Sequence, residues 1–188
     1  TLDEISDNKK KKKPKTKAVK KTASRKPVAS KVSKKKRTSV AGDPFPKSLT
    51  PMLTTLVDKP FDQAGWSYEV KWDGYRAVGF IKDGSVELRS RNDKSFNDKF
   101  YPVYEALKHW DVNTVVDGEV VVLKSNGRSD FGSLQNWRSE ADGDLVYYIF
   151  DVIWLEGKDL RNEPLHKRRE HLKSIIPDDN GIIRLSES

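Results

Sequence analysis

The chain has 188 residues with 36 Lys+Arg against 28 Asp+Glu, a formal net charge of +8 that is very unevenly placed. Residues 1–43 hold 16 Lys+Arg against 4 acids, whereas residues 44–188 hold 20 against 24, so a strongly basic stretch precedes a mildly acidic remainder. The absence of cysteine excludes disulfides, thiolate zinc sites and a thiol nucleophile, and it fits a reducing compartment. The longest apolar run, Leu145 to Leu155, is too short to span a bilayer and carries Asp151, and the polar amino terminus is unlike a secretory signal.

Residues 1–43 contain no Phe, Trp or Tyr and repeat Lys, Pro, Ala, Ser and Thr, as in Lys9 to Lys13 and Lys34 to Arg37. Too little apolar surface is available to offset ordering entropy, so this stretch reads as a disordered tail or interdomain linker. Its charge suits nonspecific contact with nucleic-acid phosphates. Residues 44–188 read as the folded domain. Pro44, Pro46, Pro51 and Pro60 mark an extended lead-in, after which the alternation from Trp66 to Lys71 predicts a strand. Tyr75 to Ile81 and Val86 to Ser90 predict a hairpin closed by Asp83-Gly84. Asp98 to Trp110 predicts an amphipathic helix, Val115 to Leu123 a valine-rich strand closed by Asn126-Gly127, and Phe131 to Trp137 a short helix. Leu145 to Leu155 predicts a buried strand, Leu165 to Ile176 a helix with a basic outer face, and Ile182 to Leu185 a last strand. This order of elements defines an α+β fold with mainly antiparallel sheet and packed helices.

The hexapeptide Lys71-Trp72-Asp73-Gly74-Tyr75-Arg76 concentrates an amine, a carboxylate, a flexible glycine and a guanidinium, which is equipment for attack on a nucleotide phosphate. Its plain alternative is a surface lysine on an edge strand before a turn. Arg91, in Ser90-Arg91-Asn92, stands where a strand gives way to a loop and suits either a phosphate or a structural ion pair. Asp117-Gly118-Glu119 interrupts an apolar strand with two acids, which are costly to bury unless paired or bound to metal; a solvated edge turn is the alternative. Phe150, ahead of Asp151, suits either stacking on a purine or ordinary core packing. Asp130-Phe131-Gly132 mimics a kinase metal triplet, but the kinase glycine loop and catalytic loop are absent. His109, His166 and His171 are too dispersed to form a metal pair.

Taken in order, these motifs resemble those of the covalent nucleotidyltransferases, which include ATP-dependent DNA ligases, RNA ligases and mRNA capping enzymes. Pro51-Met52-Leu53, Glu69-Val70-Lys71, Gly127-Arg128 with Asp130-Phe131 and Leu134-Gln135, and Pro164-Leu165 with Arg168-Arg169 look like the ATP-dependent DNA ligases of bacterial end joining. The resemblance covers about Phe45 to Ser188. It implies a ligase-type, ATP-grasp-like adenylation domain in which Lys71 attacks the α-phosphate of ATP, expels pyrophosphate and becomes lysyl-AMP. Lys71, Asp73 and Arg76 would form the catalytic set, and Glu69, Val70, Lys71, Arg76, Arg91, Glu119 and Phe150 the ATP-binding set, with Arg76 and Arg91 on either the nucleotide or the nick phosphate. Within that set Glu69 would lie by the exocyclic amine, Phe150 would pack on adenine, and Glu119 would bind the ribose or magnesium region. Nicked or broken duplex DNA would receive the adenylate, and a monomer in the bacterial cytoplasm, associated with the nucleoid, is implied.

The family pattern continues past Leu185 with a Glu-Gly motif, a lysine-rich motif and an OB-fold domain, whereas this sequence ends at Ser188. The expectation is therefore a truncated adenylation domain that carries the reactive lysine and part of the ATP pocket but does not seal nicks alone. Asp93 also stands where a glycine commonly follows Ser-Arg-Asn. A GTP-using capping enzyme, an RNA ligase and a non-catalytic DNA-tethering module are the competing expectations.

Overall fold

The computed structural model describes residues 42–177 and 181–187. The expectation of a disordered tail falls, for residues 1–41, outside the described residues. Among the described residues six strands form one sheet: β1 (Tyr75–Lys82), β2 (Ser85–Ser90), β3 (Thr114–Leu123), β4 (Asp144–Leu155), β5 (Lys158–Asp159) and β6 (Ile183–Leu185). Their order is β2-β1-β3-β4-β5, and β6 also pairs with β4. All neighbours are antiparallel except β4 and β6, so the α+β class with a mainly antiparallel sheet holds. The three α-helices are α1 (Tyr101–Lys108), α2 (Phe131–Asn136) and α3 (Leu165–Ile175). Among the described residues no helix is long and apolar enough to cross a membrane.

Local chemistry accounts for these elements. Asp83 and Gly84 take φ of 50° and 78°, the left-handed pair whose twist joins two antiparallel strands in a tight hairpin. Asp130 caps α2, its carboxylate accepting from the N–H groups of Gly132 and Ser133 and from the Ser133 hydroxyl. Helix α1 begins later than the expected Asp98 because Pro102 supplies a first-turn residue with fixed φ, and the preceding residues form turns.

Side-chain alternation gives the sheet two unlike faces. On one, Ala77 and Ile81 of β1, Val116, Val120 and Val122 of β3, and Tyr147 and Ile149 of β4 join residues from all three helices in the main core. Phe100, Val103, Leu107, Leu134 and Leu172 are the helix-side partners, and all five are fully buried. Trp110 Nε1 donates to the Ile175 carbonyl at 2.6 Å, tying the chain two residues past α1 to the end of α3. The opposite face carries a smaller apolar group, Val78, Phe80, Val115 and Trp154, covered by Phe45 and Leu49 of the lead-in. Asp43 fastens this lead-in: its N–H donates to the Gly157 carbonyl at 2.7 Å, and its carbonyl and carboxylate accept from Trp154 and Asp159.

One expected strand is absent. Residues Trp66 to Lys71 adopt no regular structure, despite their alternating pattern. The apolar members of that alternation, Trp66, Tyr68 and Val70, are 60%, 57% and 55% exposed, so no buried sheet face rewards the periodicity. Trp66 instead packs edge-on against Phe61, and its N–H closes a turn onto the Gln63 carbonyl. The segment is held further along, by side chains rather than a ladder. The two-residue strand β5 and a short 3-10 turn at Glu140–Asp142 are additions to the expected elements.

Candidate active site

The functional residues lie on the smaller-core face of the sheet. Period-two alternation places Arg76 in line with Val78 and Phe80 on β1, and the register pairs Arg76 with Glu119 and Val78 with Asp117 on β3. The apolar row thus changes to charge as β1 runs back toward Gly74. There the sheet and the segments before it enclose a cleft of about 620 Å³, whose lining includes Glu69, Val70, Lys71, Arg76, Glu119 and Phe150. Asp73 and Arg91 do not line it. Asp73 is exposed and its N–H donates to Ser129 Oγ at 3.3 Å. Arg91 is exposed just past β2, with β1 standing between β2 and the acid-bearing β3.

Lys71 owes its place to its neighbours. Two residues before it, Glu69 accepts from Arg169 of α3 at 2.9 Å. The next residue, Trp72, stacks on Tyr148 of β4 with ring centroids 3.8 Å apart and planes 6° from parallel, and its Nε1 donates to Ser186 Oγ at 3.1 Å. Gly74 then runs so close to β3 that a Cβ there would stand 2.1 Å from the Val120 carbonyl oxygen. Any side chain would push the loop off the sheet, so glycine is required for close approach at the junction of loop and β1.

Charge in the cleft is paired in a definite pattern. Asp117 is buried and accepts both arms of Arg76, Nε at 3.0 Å and Nη2 at 2.6 Å, a planar fork that lysine cannot reproduce. Burial pushes the Asp117 carboxyl up against the opposing pull of Arg76, while the same hydrogen-bonded pair holds Arg76 above its ordinary value. Arg76 also donates to the Met52 carbonyl at 2.8 Å and stands 5.4 Å from the centre of the Phe150 ring. Asp151 is forked by Arg168 of α3, with both contacts at 2.8 Å. Of the four acids lining the cleft, Glu69, Asp117 and Asp151 are therefore each taken by an arginine. Glu119 makes no direct ion pair among the described residues. Burial pushes its carboxyl up to about 7, opposed by the charges of Arg76 and Lys71 and by a hydrogen bond from the Gly74 N–H.

This donor set bears on a metal. Among the described residues no group of three or more His, Cys, Asp or Glu converges as a cation cage. Glu119 alone has a carboxylate not occupied by a cation, which fits the habit of magnesium to take one or two carboxylates and complete its shell with phosphate oxygens and water. The arginine partners Arg168 and Arg169, and the role of Asp117 as anchor of Arg76, are absent from the sequence-derived site. Each depends on a contact between residues 17 to 100 positions apart.

Fold and site together describe a nucleotide-sized cleft with a lysine at its rim, and comparison with known proteins defines the class. The model of the ATP-dependent DNA ligase domain matches residues 51–188, and the chain belongs to that family. Among relatives, the multifunctional non-homologous end joining protein LigD of Pseudomonas aeruginosa is 37% identical over 146 residues, covering 76% of this chain and 17% of that protein. The SPbeta prophage-derived DNA ligase-like protein LigB of Bacillus subtilis is 31% identical over 138 residues, covering 71% of this chain and 50% of the relative. The ligase domain of Mycobacterium tuberculosis LigD superposes with a TM-score of 0.54 at 32% identity, over 62% of this chain and 38% of that domain. A mycobacterial DNA ligase D complexed with ATP and MES matches equally well. The chain thus spans half or less of each of these relatives.

Proposed function

We propose that this chain carries the nucleotide-accepting part of an ATP-dependent DNA ligase of end-joining repair, with Lys71 as the residue that takes AMP. One observation carries the reading: Lys71 shares a cleft of about 620 Å³ with a forked arginine, an aromatic ring and a single uncommitted carboxylate. In the reaction the neutral Lys71 amine forms a P–N bond to the α-phosphate of ATP, the bond to the bridging oxygen breaks, and pyrophosphate leaves with that electron pair. The amine proton goes to solvent or to an adjacent acceptor. In the whole enzyme the AMP then passes to a 5′-phosphate of nicked or broken duplex DNA, and a 3′-hydroxyl displaces it to seal the strand.

The chain's own residues divide this work by their chemistry. Arg76, held by Asp117 and the Met52 carbonyl, keeps N–H groups on Nη1 and Nη2 that are free to donate to phosphate oxygens. Phe150 presents an apolar face for a base, backed by the Arg76 charge. Glu119 is the residue that would hold magnesium, and bound magnesium would neutralise charge developing on the phosphates. Arg91, which stands outside the cleft lining, suits later contact with a nucleic-acid phosphate better than contact with ATP. A DNA substrate of this kind fits a working enzyme in a bacterial cytoplasm.

Incubation with ATP and magnesium, followed by intact mass measurement of this chain and of a longer form extended past Ser188, tests the reading. One added AMP in the unaltered protein and none in Lys71→Ala is the expected result. Addition of GMP from GTP in preference to AMP would assign the site to a capping-type enzyme instead. Absence of any added nucleotide from both lengths of chain would overturn the assignment to Lys71.

A further inference from the structure

Arg169 is 8% exposed and lies outside the cleft lining, yet its guanidinium reaches three chain segments, two of which line the cleft. Its Nη1 donates to Glu69 Oε1 at 2.9 Å and to the Phe150 carbonyl at 3.2 Å, and its Nη2 donates to the Ser186 carbonyl at 2.6 Å. Ser186 in turn accepts from Trp72, the residue beside Lys71. A buried guanidinium has five donors in a rigid plane, so the positions of its acceptors are mutually fixed. No lysine can span the same three acceptors, because a single ammonium lacks that planar reach.

Two of the groups so fixed belong to residues that line the cleft. Phe150 supplies the aromatic surface and Glu69 supplies a carboxylate, and both line the cleft. An ionised carboxylate only accepts hydrogen bonds, and one donor from Arg169 leaves it acceptor capacity. It therefore favours a ring edge that donates, such as the 6-amino group of adenine, and repels a 6-oxo group, whose oxygen only accepts. The strength of that discrimination depends on where the carboxylate is held relative to the ring plane, since hydrogen bonds weaken steeply off axis.

We propose that Arg169 is the positioning residue for base choice: it locks the Glu69 carboxylate and the β4 backbone at Phe150 in one geometry, so that the cleft selects 6-aminopurine over 6-oxopurine nucleotides. This rests on the proposed function, and it adds a residue that touches no nucleotide itself. A guanidinium serving only to hold the fold together would, on replacement, weaken ATP and GTP alike. Arg169 acting on base choice changes their ratio.

Equilibrium binding of ATP and of GTP, measured by titration calorimetry, reads base choice without the transfer step. The rate of nucleotide attachment to Lys71 reads it a second time. In Arg169→Lys the ATP-to-GTP preference is expected to fall about tenfold, through a higher KM for ATP with kcat within about threefold. Glu69→Ala, which leaves Arg169 its two carbonyl acceptors, is expected to lose the same preference and serves where Arg169→Lys folds poorly. The double variant is expected to lose no more than either single one, as holds for two residues acting through one contact. Equal weakening of both nucleotides in Arg169→Lys, or no ATP preference in the unaltered chain, would overturn the inference. Preferential ATP binding with no AMP attached to Lys71 in either this chain or the longer form would sink the proposed function while leaving the role of Arg169 standing.

Discussion

Glu119 carries the most pH-dependent free energy that a single residue contributes to this cleft. Its carboxyl is pushed up to about 7 from an ordinary 4.5, so between those values the folded chain holds a proton that the unfolded chain has lost. Proton binding favours the state with the higher affinity, and the stabilisation is complete below about pH 4.5 and lost as pH rises through about 7. The shift corresponds to at most about 3 kcal/mol, less whatever solvent screening removes. Chemical denaturation of the unaltered chain and of Glu119→Gln, with chelator present, should show their stability difference moving against the unaltered chain across pH 4.5 to 7.5. A difference that stays flat across that range would mean the carboxylate is already hydrated in the folded state. The reason Glu119 could be found in the sequence is the same one that makes it titrate: an acid inside a run of valines has no cheap way to be ionised. Lys71 and Arg76 were legible as cleft residues for a related reason, since their short motif straddles the start of β1, and Phe150 because an aromatic strand there runs directly into an acid. Arg169 was not legible in role. Its partner Glu69 lies 100 positions away, and nothing local distinguishes one arginine in Arg168-Arg169 from an exposed helix charge.

At the scale of elements, β3 and β4 are the pair that builds the acid row, and they meet at a register shift between Asp117 and Gly118. A Cβ at Gly118 would stand 2.4 Å from the Tyr148 carbonyl oxygen and 2.7 Å from Tyr147 Cε2. Tyr147 cannot yield easily, being fully buried with its hydroxyl donating to the Ala77 carbonyl at 2.9 Å. Gly118→Ala should therefore cost about 2 to 3 kcal/mol by denaturant titration, as overpacking of a tight core does. Gly79→Ala on β1, where the first neighbour is a Val116 methyl at 3.3 Å, should cost less than half as much. Equal costs at the two sites would show that β4 shifts freely and that the irregularity does not hold the acids in place. Elements with strong local signals were read correctly in kind: the Asp83-Gly84 hairpin, the valine-rich β3, the aromatic β4 and the two longer helices. Trp66 to Lys71 shows where such reading fails. Alternation describes a side-chain pattern, and it becomes a strand only when a neighbouring edge accepts the backbone. Here Arg169 and Tyr148 secure Glu69 and Trp72 by their side chains instead. The two-residue β5 is too short to leave any periodic trace, and the parallel pairing of β6 with β4 is a long-range choice that neither segment encodes alone.

At the scale of the molecule, the charge partition separates two tasks. The sheet face with the cleft balances its cations with acids, so little net positive charge remains there to attract a polyanion. Residues 1–41 carry 16 Lys+Arg against 3 acids, while residues 42–188 carry 20 against 25. If duplex DNA is the substrate, its nonspecific attraction resides largely in the first stretch, through release of counterions from neutralised phosphates. The deletion that tests this has a natural end point. Asp43 bonds to Gly157, Trp154 and Asp159, so removal must stop at residue 41 to leave the lead-in and its cover over Phe80 and Trp154 intact. Affinity for a nicked duplex, measured by fluorescence anisotropy across a salt series, should fall in the deleted protein. The slope of log K against log salt should also become shallower, by about 0.9 for every phosphate that the shortened protein no longer neutralises. Thermal stability and attachment of AMP to Lys71 should be unchanged, because the deletion keeps every described residue of the cleft lining and the described contacts of Glu69 and Trp72 on either side of Lys71. An unchanged salt slope would move the DNA contact onto the folded domain, and Arg91, an exposed cation outside the cleft lining, would then be the first position to substitute.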